Sequence, residues 1–132
     1  MKALICLSAS ILFSVALQAQ ATSCPVTVTD VRNVEDAIFV LFQNDGSATL
    51  TSYQFGFIFV DLRGHKLPFP VLSKGAKTVA PGSGGKLALQ TVQSLQFLFP
   101  EANAYLMKAT FSDGTTWTDD GTHACGATSW QE

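Results

Sequence analysis

An antiparallel β-sandwich is the fold this sequence predicts, and three observations predict it. Residues 52–64 place Tyr53, Phe55, Phe57 and Phe59 at alternate positions, hence on one face of a strand, and run straight into a turn. Four aromatics on one face need an apolar layer opposite them, and the chain offers no amphipathic helix of useful length to supply it. Finally, Cys24 and Cys125 stand near the two ends of the remaining chain, where a bridge between them would close the domain.

The elements follow in order. Residues 25–31 alternate weakly and are rich in β-branched side chains, which suits a first strand, and residues 32–36 are a polar turn. Residues 37–42 are apolar on both faces and form a second strand, ended by the turn cluster Asn44-Asp-Gly-Ser47. The aromatic stretch is the third strand. Pro68 and Pro70 cannot donate to a ladder, so residues 66–72 predict an edge strand or loop. Turns at 73–75 and 81–85 bracket short strands near 76–80 and 86–90. The second of these turns lacks the Lys-Ser/Thr ending of a phosphate-binding loop, and no helix follows it.

Residues 91–100 predict a crossing segment with Leu95, Phe97 and Phe99 at alternate positions. Residues 103–111 form a strand with Tyr105, Met107, Ala109 and Phe111 inward. The Asp113-Gly114 turn allows two registers. A three-residue loop of Ser112, Asp113 and a left-handed Gly114 sets Ala109 against an inward Trp117, where a large ring packs beside a small side chain. The two-residue loop would leave the indole among polar neighbours, so the first register is expected.

Residues 1–21 read as a targeting segment: Lys2 supplies a positive start, residues 3–17 an apolar run, and Ala19-Gln20-Ala21 a small-x-small cleavage site. The run is shorter than the roughly 20 residues of a membrane-spanning helix, and polar Gln18, Gln20 and Thr22 follow it. Export with cleavage is expected, to the periplasm or the medium, with no membrane span. Residues 22–132 then make one domain, large enough for a single core. Without Lys2, seven basic residues stand against ten acidic ones, and no basic run tracks a phosphate backbone, so nucleic acid is not an expected partner.

Cys6 lies in the targeting segment, which leaves Cys24 and Cys125 as a disulfide pair in an oxidising compartment. Lipidation of Cys24 is the rival reading, because Ala21-Thr22-Ser23-Cys24 resembles a lipobox. It ranks second, since Ala21 stands where a large aliphatic residue belongs and Cys125 would be left unpaired.

Asn44-Asp-Gly-Ser47, Phe57-Ile-Phe-Val-Asp61, Gly64 and Pro81-Gly82 together resemble the FxLYD-type domains of bacterial exported proteins, over about the central half of the mature chain. Phe59 and Val60 stand where that pattern has Leu and Tyr. The resemblance implies an immunoglobulin-like antiparallel β-sandwich of about seven or eight strands, and it brings no catalytic residues. Glu101-Ala-Asn-Ala-Tyr105-Leu-Met107 is similar to a tyrosine corner, with Met107 where a second core cysteine would stand. The predicted bridge therefore ties the chain ends and not the two sheets.

No hydrolase signature surrounds His65 or His123, and a non-enzymatic protein without a cofactor is expected. Asp113, Asp119, Asp120 and His123 are the densest set of metal-ligand types, with Asp119, Asp120 and His123 the candidate ligands, but the spacing matches neither an EF-hand nor a zinc signature, so a small secreted metal-binding protein is the last of the readings. The stronger lead is apolar. Ile38, Val40 and Phe42 alternate with Phe39 and Leu41, and Ile58 and Val60 alternate with the aromatics, so each strand has two apolar faces where a solvated sheet should have one. Ile38, Val40, Phe42, Ile58 and Val60 are the candidate interaction face, unless Leu95, Phe97 and Phe99 fold over it, which is the favoured outcome. The leading function is an interaction or envelope-associated module with an unknown protein or envelope partner, its state as monomer or homodimer left open. Carbohydrate binding through exposed Trp117 and Trp130 is the alternative.

Overall fold

The computed structural model describes residues 23–34, 36–68, 70–91 and 97–129. The targeting segment, Leu95 and Trp130 lie outside them. The described chain forms eight strands: β1 (Val26–Val34), β2 (Ala37–Asn44), β3 (Leu50–Val60), β4 (Val71–Gly75), β5 (Gly84–Gln90), β6 (Glu101–Phe111), β7 (Thr116–Thr118) and β8 (Gly126–Ser129). Every pairing is antiparallel. One sheet has the order β1-β2-β5, and the other the order β4-β3-β6-β7, with β8 also paired to β6. This is an immunoglobulin-like order, with β4 beside β3 as a C′ strand sits beside strand C.

The core lies between the sheets. Ile38, Val40 and Phe42 of β2 face Tyr53, Phe55, Phe57 and Phe59 of β3, all buried, and Phe42 meets both Tyr53 and Phe55 at ring-centroid separations of 5.0 and 5.1 Å. The aromatic face of β3 is thus the core face, as its period predicts. In β6 the pairing slips between Gln54/Lys108 and Phe55/Leu106, so Met107 is an extra residue. That bulge reverses the facing of the strand. Ala102, Ala104 and Leu106 point inward below it, Ala109 and Phe111 above it, and Tyr105 is turned to the outer face with Met107. Tyr105 is therefore buried outside the cluster between the sheets.

The hairpin register is the expected one. Ala109 pairs Trp117, Gly114 has φ 88°, and the indole is half-buried against the core. Other expectations need correction. Ser73, Lys74 and Gly75 belong to strand β4, and of the strand expected near 76–80 only Val79 makes a bridge, to Leu50. The Cys24–Cys125 bridge forms, with Cα atoms 5.7 Å apart, but it does more than join chain ends. Cys24 precedes β1 in one sheet, Cys125 precedes β8 in the other, and Cys125 is part of the core, so the bridge staples the two sheets along one side. On the other side the Ser73 hydroxyl donates to the Ala88 carbonyl at 3.1 Å, joining β4 to β5.

Candidate interaction surface

The two ends of the sandwich differ in kind. At one end the loops brace one another through backbone hydrogen bonds: Asn44 N–H donates to Ser83, Gly82 N–H to Asn44, and Ser112 N–H to Thr49. Asn44 is fully buried there. Its amide donates to the carbonyls of Ala48 (3.0 Å) and Val79 (2.9 Å), and its Oδ1 accepts from Gly46 N–H (2.9 Å), which forms the turn without a left-handed glycine.

The opposite end gathers the ends of β1, β3 and β5 and the starts of β2, β4 and β6. All six of the large apolar side chains that stand exposed among the described residues are on these segments: Val34, Leu62, Val71, Leu72, Phe97 and Leu98. Leu62 is 82% exposed, Phe97 78% and Leu98 59%. Scattered exposed leucines are ordinary; their collection at one end is not.

A rigid turn presents Leu62. Asp61 Oδ1 accepts the N–H groups of Arg63 and His65, both at 2.8 Å, and Asp61 N–H donates to the His65 carbonyl at 2.9 Å. The bond from His65 N–H, then that from Arg63, with the charges of His65 and Arg63 behind them, hold the Asp61 carboxyl below its ordinary pKa. Asp61 Oδ2 lies 3.5 Å from His65 Nδ1, and the turn displays Leu62 among exposed Arg63, His65 and Lys66. Phe97 and Leu98 are helical and precede Pro100, whose carbonyl meets the Asn33 amide of β1 at 3.5 Å.

The candidate face drawn from the alternation is divided by the fold. Ile38, Val40 and Phe42 are core residues and offer no surface, because β2 turns them toward the aromatics of β3; the second face of β2 is Phe39 and Leu41. Both are half-buried, and the Lys86 ammonium lies 4.8 Å above the Phe39 ring, its stem covering apolar surface while the charge stays in water. Ile58 is half-buried on the outer face of β3, and Val60 is buried where Lys66 bridges back to it. Of the crossing segment's three apolar residues, Leu95 lies outside the described residues, Phe97 is exposed, and Phe99 packs edge-on against Phe59 at 6.3 Å between centroids.

The loop before β8 covers part of this face. Tyr105 lies over Gly56, and His123 stacks on Tyr105 with 3.8 Å between ring centroids. Asp119 accepts from the N–H groups of Gly121 and His123 and sits 3.1 Å from His123 Nδ1, so the loop is folded around one carboxylate. His123 adopts φ 56°, the left-handed region, to make the stack. Burial, then the nearby Asp119 charge, raises the Tyr105 pKa. Asp120 faces Thr122, whose hydroxyl and N–H lower its pKa. Asp119 and His123 are thus brought together, but Asp120 turns away from them. Among the described residues no group of three or more His, Cys, Asp or Glu is placed to hold a metal ion.

No protein-family model and no curated protein matches the chain. Solved structures do. A structural genomics target of untitled function is 14% identical with a TM-score of 0.43, the match covering 74% of this chain and 84% of that one. A Bordetella pertussis protein described as the "Putative ApaA Protein" is 14% identical with a TM-score of 0.46, over 80% of this chain and 91% of that one. A β-glucosidase from Kluyveromyces marxianus is 14% identical with a TM-score of 0.34, over 80% of this chain but 14% of that one.

Two further features complete the surface. Trp117 is half-buried with its Nε1 enclosed, which leaves only part of the ring at the surface. An open groove of about 660 Å³ lies beside β2 and β5, lined by Thr29, Leu41, Gln43, Lys77, Thr78 and Lys86 over the rings of Phe42 and Tyr53. Its titratable lining residues are Tyr53, Lys77 and Lys86. Sequence reasoning missed Leu62, Val34 and Leu98 at the apolar end. The signal was present in Asp61-Leu62-Arg63-Gly64, where a leucine occupies the tip of a turn that needs only polar residues. Among the described residues no helix is long and apolar enough to cross a membrane.

Proposed function

We propose that this protein is an exported, non-enzymatic binding module that docks onto an envelope component through the apolar end of its sandwich. The observation that carries this reading is the collection of Val34, Leu62, Val71, Leu72, Phe97 and Leu98 at one end, while the other end is closed by hydrogen-bonded loops. Export is supported by the Lys2, apolar-run and Ala19-Gln20-Ala21 pattern, and by a disulfide of the kind that persists in oxidising compartments. The likeness of the Asn44–Ser47 and Phe57–Asp61 strings to FxLYD-type exported domains agrees with the same reading.

A photo-crosslinking residue placed at position 62 or 97 tests it. The expected result is one stoichiometric crosslinked envelope component from either position and none from the same residue at position 82, at the opposite end. Equal capture from both ends, or none from 62 and 97, would remove the docking reading. Saturable quenching of tryptophan fluorescence by a glycan would move the assignment to carbohydrate binding.

A further inference from the structure

Charge is segregated along this chain. Between Asp61 and Glu101 stand Arg63, Lys66, Lys74, Lys77 and Lys86 and no acidic residue, although the whole sequence carries 10 acidic residues against 8 basic ones. Strands β2 and β3 carry no charged side chain. The groove beside β2 and β5 is built largely from these segments, so its cations, Lys77 and Lys86, meet no carboxylate in its lining. The acidic residues adjoining that lining in sequence are engaged elsewhere: Asp30 pairs with Arg32, and Asp45 accepts from the Thr27 hydroxyl. Among the described residues neither lysine forms an ion pair, and the Lys86 ammonium stands over the Phe39 ring. A cleft with charge of one sign and partly apolar walls draws an anion.

The rest of the lining narrows the kind of anion. Gln43 and Thr78 are exposed hydrogen-bonding side chains, and half-buried Leu41 supplies an apolar strip. The volume, about 660 Å³, is that of a small-ligand site. Inorganic phosphate would leave the neutral lining unused, and a neutral sugar would leave both ammonium groups unpaired. A sugar acid uses all three: hydroxyls against Gln43 and Thr78, a C–H face against Leu41, and carboxylates against the lysines. We propose that the groove binds a short acidic saccharide, an oligomer of uronic acids whose carboxylates pair with Lys77 and Lys86. The groove lies toward the hydrogen-bonded end of the sandwich, where the Gln43 amide donates to the Gly82 carbonyl at 3.4 Å, so its ligand does not compete with docking at the apolar end.

Calorimetric titration of the mature chain with digalacturonate tests it; galactobiose, the same kind of sugar without carboxylates, and inorganic phosphate are the comparisons. No tryptophan lines the groove, so indole fluorescence would not report this ligand. Saturable binding of digalacturonate is expected, with galactobiose and phosphate each about tenfold weaker or more. Lys77→Gln and Lys86→Gln should each weaken it about fivefold, the upper size of an exposed ion pair, and Lys108→Gln on β6 should leave it unchanged. Gly84→Leu should abolish it. Gly84 is exposed, its φ is not left-handed, and a Cβ there meets only the Phe42 carbonyl oxygen, at 3.5 Å, so the new side chain enters the groove without disturbing the core. A circular-dichroism melt of each variant checks folding, and if Gly84→Leu is destabilised the lysine variants decide. No binding, equal binding of galactobiose, or equal loss in Lys108→Gln overturns the proposal. Phosphate bound as tightly as digalacturonate would reduce the groove to a general anion site and remove the saccharide. Crosslinking from position 62 reads the apolar end alone, so either reading can fail without the other.

Discussion

The ring of Tyr105 occupies the space that a side chain at Gly56 would need: a Cβ built on Gly56 falls 2.7 Å from both Cζ and Oη of Tyr105 and 3.1 Å from Met107 Sδ. Glycine is thus required in the middle of the longest aromatic strand, and the missing side chain lets the β6 tyrosine lie flat against β3 with His123 stacked above it. Gly56→Ala should destabilise the protein by about 1–3 kcal/mol through overpacking. Tyr105→Ala in the same chain should recover part of that loss. Urea midpoints of the two single variants and the double variant measure the coupling, and strictly additive values would contradict the contact.

Asn44 supplies the second test. Removing its side chain takes their side-chain partner from the N–H of Gly46 and the carbonyl of Ala48, and takes one of two donors from the Val79 carbonyl, which keeps the Leu50 N–H, so Asn44→Ala should cost about 2–3 kcal/mol. Asn44→Asp should be worse, because a carboxylate would then face two carbonyl oxygens. Thermal melts rank the pair.

The bridge between Cys24 and Cys125 spans a sequence separation of 101 residues, and in the chain-entropy model such a loop contributes up to about 5 kcal/mol. Replacing both cysteines with alanine should lower the urea midpoint by a large fraction of the total stability, with the loss of the buried Cys125 sulfur adding to it. Reductant should shift the parent protein and leave the variant unchanged.

Stability should fall at both pH extremes for identifiable reasons. Hydrogen bonds lower the pKa values of Asp61, Asp113 and Asp120 from the ordinary 3.8. A lowered folded value means stability that is present above pH 3.8 and is lost as the pH falls through the folded values. Tyr53 and Tyr105 behave oppositely: burial raises both above 10.0, so the stability of their neutral forms is complete below that pH and is lost as the pH rises through the raised values. Urea midpoints against pH should show a smaller alkaline fall in Tyr105→Phe. An unchanged alkaline limb in Tyr53→Phe/Tyr105→Phe would refute the assignment.

What could be read from the residues, and what could not, follows from where the information lies. The aromatic face of β3 and the Ala109–Trp117 register are local, one set by period and the other by the turn chemistry of Asp113-Gly114, and both were legible. The bulge at Met107 is a property of the pairing with β3 and leaves no local signal, so the facing of Tyr105 and Leu106 was inverted. Ser73-Lys74-Gly75 has turn composition yet forms a strand, because Tyr53 fills the space beside Gly75. On β2 both faces are apolar, and only the opposing sheet decides that Val40 is core and Leu41 is not. The apolar end left one local sign, Leu62 at a turn tip; its other residues are far apart in sequence, and topology assembles them.

The position of the bridge has a mechanical consequence. Every segment of the apolar end lies within the covalent ring closed by Cys24 and Cys125, and of the eight strands only β8 lies outside it. A pull between the two ends of the domain is therefore borne by a covalent bond, and the hydrogen bonds it reaches are those between β8 and β6. Tension would peel four residues and go no further. The apolar end would keep its shape under a load that unravels an unbridged sandwich from either end.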